Sequence, residues 1–85
     1  MSRENISIII ADDHRLLRED LRSLLEKQPG LKPVAEAEDG RNTVKQVLKF
    51  KPDVVVMDVS MPDMNGIEAT RQIKKSAPEV KIIGL

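Results

Sequence analysis

Apolar and polar positions along the chain form two alternating kinds of pattern. Short apolar runs are typical of strands buried on both faces of a parallel sheet, and apolar residues recurring every three or four positions are typical of amphipathic helices. The runs predict strands over residues 6–11, 33–37, 53–58 and 80–85. Between the first two runs, a helical spacing places four leucines on one face: Leu17, Leu21, Leu24 and Leu25.

Turn and cap residues set the helix limits. Pro29-Gly30 stops the first helix, Asp39-Gly40 opens the second and Lys51-Pro52 closes it. The apolar face of the second helix is predicted to hold Val44, Val47 and Leu48. For the third helix, Asn65 and Glu68 form a capping pair, Pro78 is the stop, and the apolar face is Ile67, Thr70, Ile73 and Ala77. The resulting order, βαβαβαβ with short connections, predicts an α/β fold with a parallel sheet and right-handed helical crossovers.

Composition narrows the class of protein. The 85 residues carry 14 Lys and Arg against 14 Asp and Glu, which suits one small globular domain and gives no basic footprint for direct nucleic-acid contact. No apolar run approaches the roughly 20 residues of a membrane span, and the N-terminus lacks the form of a cleaved signal, so we expect a cytoplasmic location. With no cysteine, the chain has no disulfide, thiolate metal site or cysteine nucleophile.

Three carboxylates follow predicted strands. Asp12 and Asp13 come directly after the first strand, and Asp58 ends the apolar row of the third. In an open α/β sheet, ligands bind outside the carboxyl ends of the strands, and a strand order 2-1-3-4 would bring these acids into one crevice. Like charges about 4 Å apart repel by roughly 1 kcal/mol in water and about 4 kcal/mol at an effective dielectric of 20. Either one acid has a raised pKa or a hard divalent cation such as Mg²⁺ lies among them.

Capping is the simpler account of part of this pattern. Asp13 could cap the leucine-rich helix, and an Asp pair after a strand is more often a cap than a site. Asp58 has no helix directly after it, so capping does not explain it, and a metal and phosphoryl site is favoured for the three acids together. Pro62 then stiffens the loop after Asp58, and Gly66 allows a close backbone turn into the third helix.

Three segments of the sequence resemble the receiver domain of two-component response regulators. They are IIIADDHRLLREDLRSLL, EAEDGR and VVVMDVSMPDMNGIEATRQIK. Their residues are most similar to those of receivers that precede a LuxR-type helix-turn-helix domain. The resemblance covers nearly the whole chain, so residues 1–85 are identified as the N-terminal part of a receiver domain. It implies a three-layer, flavodoxin-like (CheY-like) parallel sheet of order 2-1-3-4, without the family's fifth strand and last two helices.

The resemblance also implies the chemistry. Asp58 would accept a phosphoryl group from a sensor histidine kinase, and Mg²⁺ would be held by Asp12, Asp13, Asp58 and the backbone carbonyl of Ser60. The domain would control a DNA-binding output domain outside these 85 residues and would not be an enzyme acting on a separate substrate. The chain ends one position before the family's Ser or Thr, and the family's Lys on the fifth strand lies further on.

That end predicts an exposed fourth-strand edge, a sheet face covered mainly by the first helix, and either self-association through the edge or rearranged packing. The alternative function is a phosphorylation-independent interaction module, which would fit the missing Ser or Thr and Lys. A haloacid-dehalogenase-type phosphohydrolase is disfavoured, because it needs a second acid two residues after its nucleophile, where this chain has Ser60.

Two further features are assigned no function by the sequence. His14 follows the acidic pair, where a phosphorelay histidine or a metal ligand would fit, but it has no second imidazole, so it is interpreted as a polar residue of the first helical turn. Arg15, Arg18 and Arg22 are interspersed with acids, so the stripe they form is interpreted as a solvated helix face.

Overall fold

A computed structural model describes residues 5–58, 61 and 66–85 of the chain. Its elements follow the predicted order: β1 Ile6–Ala11, α1 Arg15–Glu26, β2 Leu31–Ala37, α2 Gly40–Phe50, β3 Val54–Met57, α3 Gly66–Ser76 and β4 Lys81–Gly84. The four strands are parallel and lie in the order β2-β1-β3-β4. The fold class and strand order predicted from the sequence are therefore confirmed.

The handedness of the connections distributes the helices over the sheet. The chain moves in one direction from β1 to β2 and in the other direction from β2 to β3 and from β3 to β4. Because such crossovers are right-handed, α1 lies on one face and α2 and α3 lie on the other, which gives three layers. The contacts agree with this placement: α2 packs against α3, and α1 packs over β1 and β2.

The main core lies between the sheet and the pair α2 and α3. Alternate strand residues point into it, and they meet Val47 of α2 and Ile73 of α3. The buried strand residues of this core are Ile9, Ala11, Ala35, Ala37, Val55 and Met57. Two expected core residues are wrong: Leu48 and Ile67 are exposed, because Thr43 and Ala69 occupy the inward positions of their helices.

The opposite face of the sheet is thinly covered. Among the described helices, α1 alone lies on it, and α1 has no fully buried residue: Leu17 and Leu24 of its apolar face are exposed. Ile10, Val56 and Ile83 are in register on this face, and Ile83 is exposed. The prediction that one face is covered mainly by the first helix is confirmed for the part of the chain that the structure describes.

The two outer strands are built differently. β2 begins two residues earlier than predicted and includes Pro33, which an outer strand tolerates because its missing N–H need not bond a second neighbour. The pairing of β1 with β2 shifts register between Ile8 and Ile9, next to the Ile8–Pro33 pair. β4 pairs with β3, and within the described residues no strand covers its other edge. The predicted exposed edge is therefore present, and the sheet keeps the family order instead of repacking.

Candidate functional site

The sheet places two acids side by side at its carboxyl edge. Ala11 of β1 and Met57 of β3 are paired in the ladder, so the residues that follow them, Asp12 and Asp58, leave adjacent strands at the same level. The Asp58 N–H donates to the Ala11 carbonyl at 2.9 Å, and the Asp12 N–H donates to the Ala37 carbonyl at 3.0 Å. The sheet hydrogen bonding thus extends one residue beyond the strands and fixes the backbone of both acids.

The carboxylates of Asp12, Asp13 and Asp58 converge with the ring of His14. One ligand atom from each residue lies within 4.8 Å of all the others. Their burial is graded: the Asp12 side chain is 2% exposed, that of Asp58 15% and that of Asp13 34%. The convergence predicted for the three acids is therefore present, with Asp12 at the base of the group and Asp13 at its rim.

His14 lies against these acids, which the sequence interpretation missed. Its Nδ1 is 2.8 Å from Asp12 Oδ1, 3.2 Å from Asp13 Oδ1 and 3.9 Å from Asp58 Oδ2. The hydrogen bond to Asp12, followed by the charges of Asp13 and Asp12, raises the pKa of His14 above its usual 6.5. The position of His14 directly after the acidic pair was the available signal in the sequence, but a single histidine without a second imidazole did not indicate a site.

The capping account of Asp13 is wrong in this structure. The residue in the N-cap position of α1 is His14, and it makes no side-chain cap. Asp12, not Asp13, accepts the local backbone N–H: His14 donates to Asp12 Oδ1 at 2.7 Å. Asp13 therefore serves no cap, and its carboxylate faces the other acids.

The three carboxylates fit a hard divalent cation. Mg²⁺ binds oxygen at about 2.0–2.1 Å, so two oxygens on one ion lie at most about 4.2 Å apart, and oxygens within 4.8 Å of one another need to move by only about 0.6 Å. Carboxylate oxygens are also the ligand type that this ion prefers. The donor set thus suits Mg²⁺, with Asp13 at the exposed rim of the group.

The remaining site residues have mixed outcomes. Ser60 and Pro62 lie outside the described residues, so the predicted carbonyl ligand and loop-stiffening proline stay predictions. Gly66 is buried at the first position of α3. The arginine stripe was interpreted wrongly in part: Arg15 is exposed, but Arg18 and Arg22 turn toward the sheet and bind Glu36 of β2.

No helix in the described ranges is long and apolar enough to cross a bilayer.

Comparison with known proteins gives one family for most of the chain. Residues 8–85 match the response regulator receiver domain family. The transcriptional regulatory protein DegU of Brevibacillus brevis is 44% identical over 85 residues, which are all of this chain and 36% of DegU. The response regulator UvrY of Escherichia coli K12 is 46% identical over 80 residues, or 94% of this chain and 37% of UvrY.

A solved structure gives the same result. The crystal structure of a LuxR-family two-component response regulator from Aurantimonas superposes with a TM-score of 0.89 at 39% identity, covering 94% of this chain and 57% of that one. The chain spans little more than a third of the length of DegU and of UvrY. From the family match, the fold and the identities together, the chain belongs to the response regulator receiver domain family.

Proposed function

We propose that this chain is the phosphoacceptor part of a two-component response regulator, with Asp58 as the residue that takes the phosphoryl group from a phosphohistidine of a sensor kinase. The observation that carries the proposal is the convergence of Asp12, Asp13 and Asp58 at the carboxyl edge of a parallel sheet. Asp58 is the acid at the end of strand β3, and its side chain is partly exposed.

The transfer is a displacement at phosphorus. An Asp58 carboxylate oxygen attacks the phosphorus atom, an O–P bond forms, and the P–N bond to the donor histidine breaks. The electron pair of that bond stays on the imidazole nitrogen of the kinase, so the product is an aspartyl phosphate. Catalysis of such a transfer consists mostly of positioning and charge stabilisation, and the backbone hydrogen bonds of Asp12 and Asp58 supply the positioning.

Mg²⁺ is the cofactor that the donor set suits. Asp12, Asp13 and Asp58 would hold it, with the Ser60 carbonyl as the further ligand implied by the family. When bound, the ion neutralises charge on the acceptor and donor oxygens. The chain itself is modified in this reaction, so we propose a signalling domain and not an enzyme with a separate substrate.

The family and the exposed edge of the sheet suggest where the domain acts and what it binds. We propose a cytoplasmic regulator with a DNA-binding output domain outside these 85 residues, because the neighbouring structure is named as a LuxR-family response regulator and DegU as a transcriptional regulatory protein. For the 85-residue chain we also propose self-association through β4, because Ile83 and Leu85 are exposed beside an unpaired strand edge in the described part of the chain. An apolar edge of this kind recruits a second strand.

The test is intact mass after incubation with a small acyl phosphate and Mg²⁺. We expect a gain of one phosphoryl group that requires Mg²⁺ and is absent in Asp58→Asn. Asp39→Asn is the matched control, because Asp39 follows β2 near the same edge and asparagine caps α2 as well as aspartate does. A folded wild-type chain that gains no phosphoryl group, or an Asp58→Asn variant that gains one, would refute the proposal.

A further inference from the structure

Arg18 contacts the acidic site from behind. Its Nη1 donates to the backbone carbonyl of Asp12 at 2.6 Å, and its Nε donates to Glu36 Oε1 at 2.9 Å. The Arg18 side chain is only 14% exposed. One guanidinium therefore joins three elements: helix α1, the loop that carries the first metal-binding acid, and strand β2.

Glu36 is itself held from two sides. Its second oxygen accepts from Arg22 Nη1 at 2.8 Å, so each carboxylate oxygen has one arginine. The hydrogen bonds from Arg22 and Arg18 lower the pKa of Glu36 below its usual value despite partial burial, so Glu36 is an ionised anchor for both arginines. The pair with Glu36 therefore already orders the long side chain of Arg18, so its bond to Asp12 costs little further side-chain entropy.

We propose that Arg18 is a positioning residue for Mg²⁺ binding: by holding the Asp12 carbonyl, it fixes the turn from which the Asp12 and Asp13 carboxylates project. This inference rests on the proposed function only in taking the acidic group as a cation site. The backbone of Asp12 is then bonded at both ends, its N–H to Ala37 and its carbonyl to Arg18. Groups that hydrogen-bond the side chain of a metal ligand typically contribute about 10- to 100-fold to metal affinity, and we expect a bond to the ligand's backbone to act at the lower end of this range.

The charge of Arg18 makes the sign of the effect decisive. A guanidinium near an acidic site repels a cation, so if Arg18 acted only through its charge, removing it would tighten Mg²⁺ binding. If Arg18 acts by positioning, removing it weakens Mg²⁺ binding although a positive charge has been lost. The two roles therefore predict changes of opposite direction.

The experiment is isothermal titration of Mg²⁺ into the 85-residue chain. We expect Arg18→Ala to raise the Kd about 10-fold or more and Arg18→Lys to recover part of the loss, because a lysine can bond one of the two acceptors. Arg15→Ala is the matched control, since Arg15 lies on the same helix and pairs with Glu19, one turn further along. Arg22→Ala loosens Glu36 but leaves the Asp12 contact, so its Kd should stay close to that of the wild type.

The unfolding free energy without Mg²⁺ separates positioning from folding. If Arg18→Ala and Arg22→Ala both raise the Kd, each in proportion to the stability it has lost, Arg18 serves only to stabilise the fold. That result would overturn the proposal. An unchanged or lower Kd in Arg18→Ala would overturn it as well. If the wild type binds Mg²⁺ but gains no phosphoryl group, the proposed function fails while the Arg18 proposal is still decided by the Kd values; if the wild type binds no Mg²⁺, both fail.

Discussion

Replacing Asp13 with asparagine should stabilise the chain when Mg²⁺ is absent. Asp13 is the acid at the rim of the site; it does not cap α1, and its Oδ1 lies 3.2 Å from His14 Nδ1. Its carboxylate oxygen lies within 4.8 Å of those of Asp12 and Asp58. The substitution keeps the size of the side chain and removes one of three mutually repelling charges.

The expected magnitude follows from these distances. At 4.8 Å, one pair of like charges repels by about 0.9 kcal/mol in water and by about 3.5 kcal/mol at an effective dielectric of 20. The Asp13 side chain is 34% exposed, so the lower value applies, and its two neighbours together give about 2 kcal/mol. Allowing for screening by salt, we expect a gain of about 1–2 kcal/mol, or roughly 5–10 °C in Tm for a domain of this size.

Thermal and urea unfolding followed by circular dichroism would measure this difference. The chain contains no Trp or Tyr, so intrinsic fluorescence offers little signal. The measurement should be made over a range of pH, because the gain should grow as the pH rises and the imidazole of His14, whose pKa is raised by the neighbouring acids, loses the positive charge that offsets them. The gain should shrink in about 0.5 M NaCl, and saturating Mg²⁺ should stabilise the wild type more than the variant.

Two outcomes would refute this reasoning. If Asp13→Asn is less stable than the wild type at low salt without Mg²⁺, hydrogen bonding of the carboxylate outweighs repulsion. If Asp13→Asn is neutral while Asp13→Ala loses about 1 kcal/mol, the residue acts as a helix cap after all.

Three further substitutions test the framework around the site. The pKa of Glu36 is lowered, so its carboxylate stabilises the fold at pH values above the ordinary 4.5, and this stabilisation is lost as the pH falls through the lower pKa of the folded state. Glu36→Gln should therefore lower the free energy of unfolding by about 1 kcal/mol at pH 7. In urea titrations, the difference in free energy of unfolding between the variant and the wild type should disappear at acid pH. Asp39→Ala should cost about 1 kcal/mol in the same assay because Asp39 Oδ1 caps the Asn42 N–H at 2.7 Å, whereas Asp39→Asn should be neutral. Gly30 has φ 87°, so Gly30→Ala should lower stability by about 1 kcal/mol, and a neutral result would show that the turn before β2 rearranges.

The order and type of the elements could be predicted because each rests on a local pattern. The apolar run of β1 gives the observed limits Ile6–Ala11, and Asp39 caps α2 where the sequence places its start. Side-chain burial was less predictable: Leu17 and Leu24 lie on the apolar face of α1 yet are exposed. Periodicity identifies the face that a helix turns to its sheet, but the area of sheet beneath that face depends on tertiary packing.

The candidate site divides in the same way. The acids could be predicted because a strand-end rule places Asp12 and Asp58 at one edge. The contact of Arg18 with Glu36 could not, because it joins residues 18 positions apart, and the alternation of Arg18 with Glu19 and Asp20 is equally typical of a solvated surface. Charge pattern alone does not determine which cations on a helix point inward.

His14 places a condition on the proposed phosphotransfer that the acids alone would not. Its Nδ1 lies 3.2 Å from Asp13 Oδ1 and 3.9 Å from Asp58 Oδ2, so under that proposal the ring and an incoming phosphoryl group would compete for the approach to Asp58. The ring is 67% exposed, so turning it away would break its hydrogen bond to Asp12 without exposing a buried side chain. Asp12 is also held by its own backbone hydrogen bonds and by the His14 N–H, which do not involve the ring. We therefore expect the His14 ring to move while Asp12 stays in place, which is the arrangement that the proposed transfer from a kinase would need.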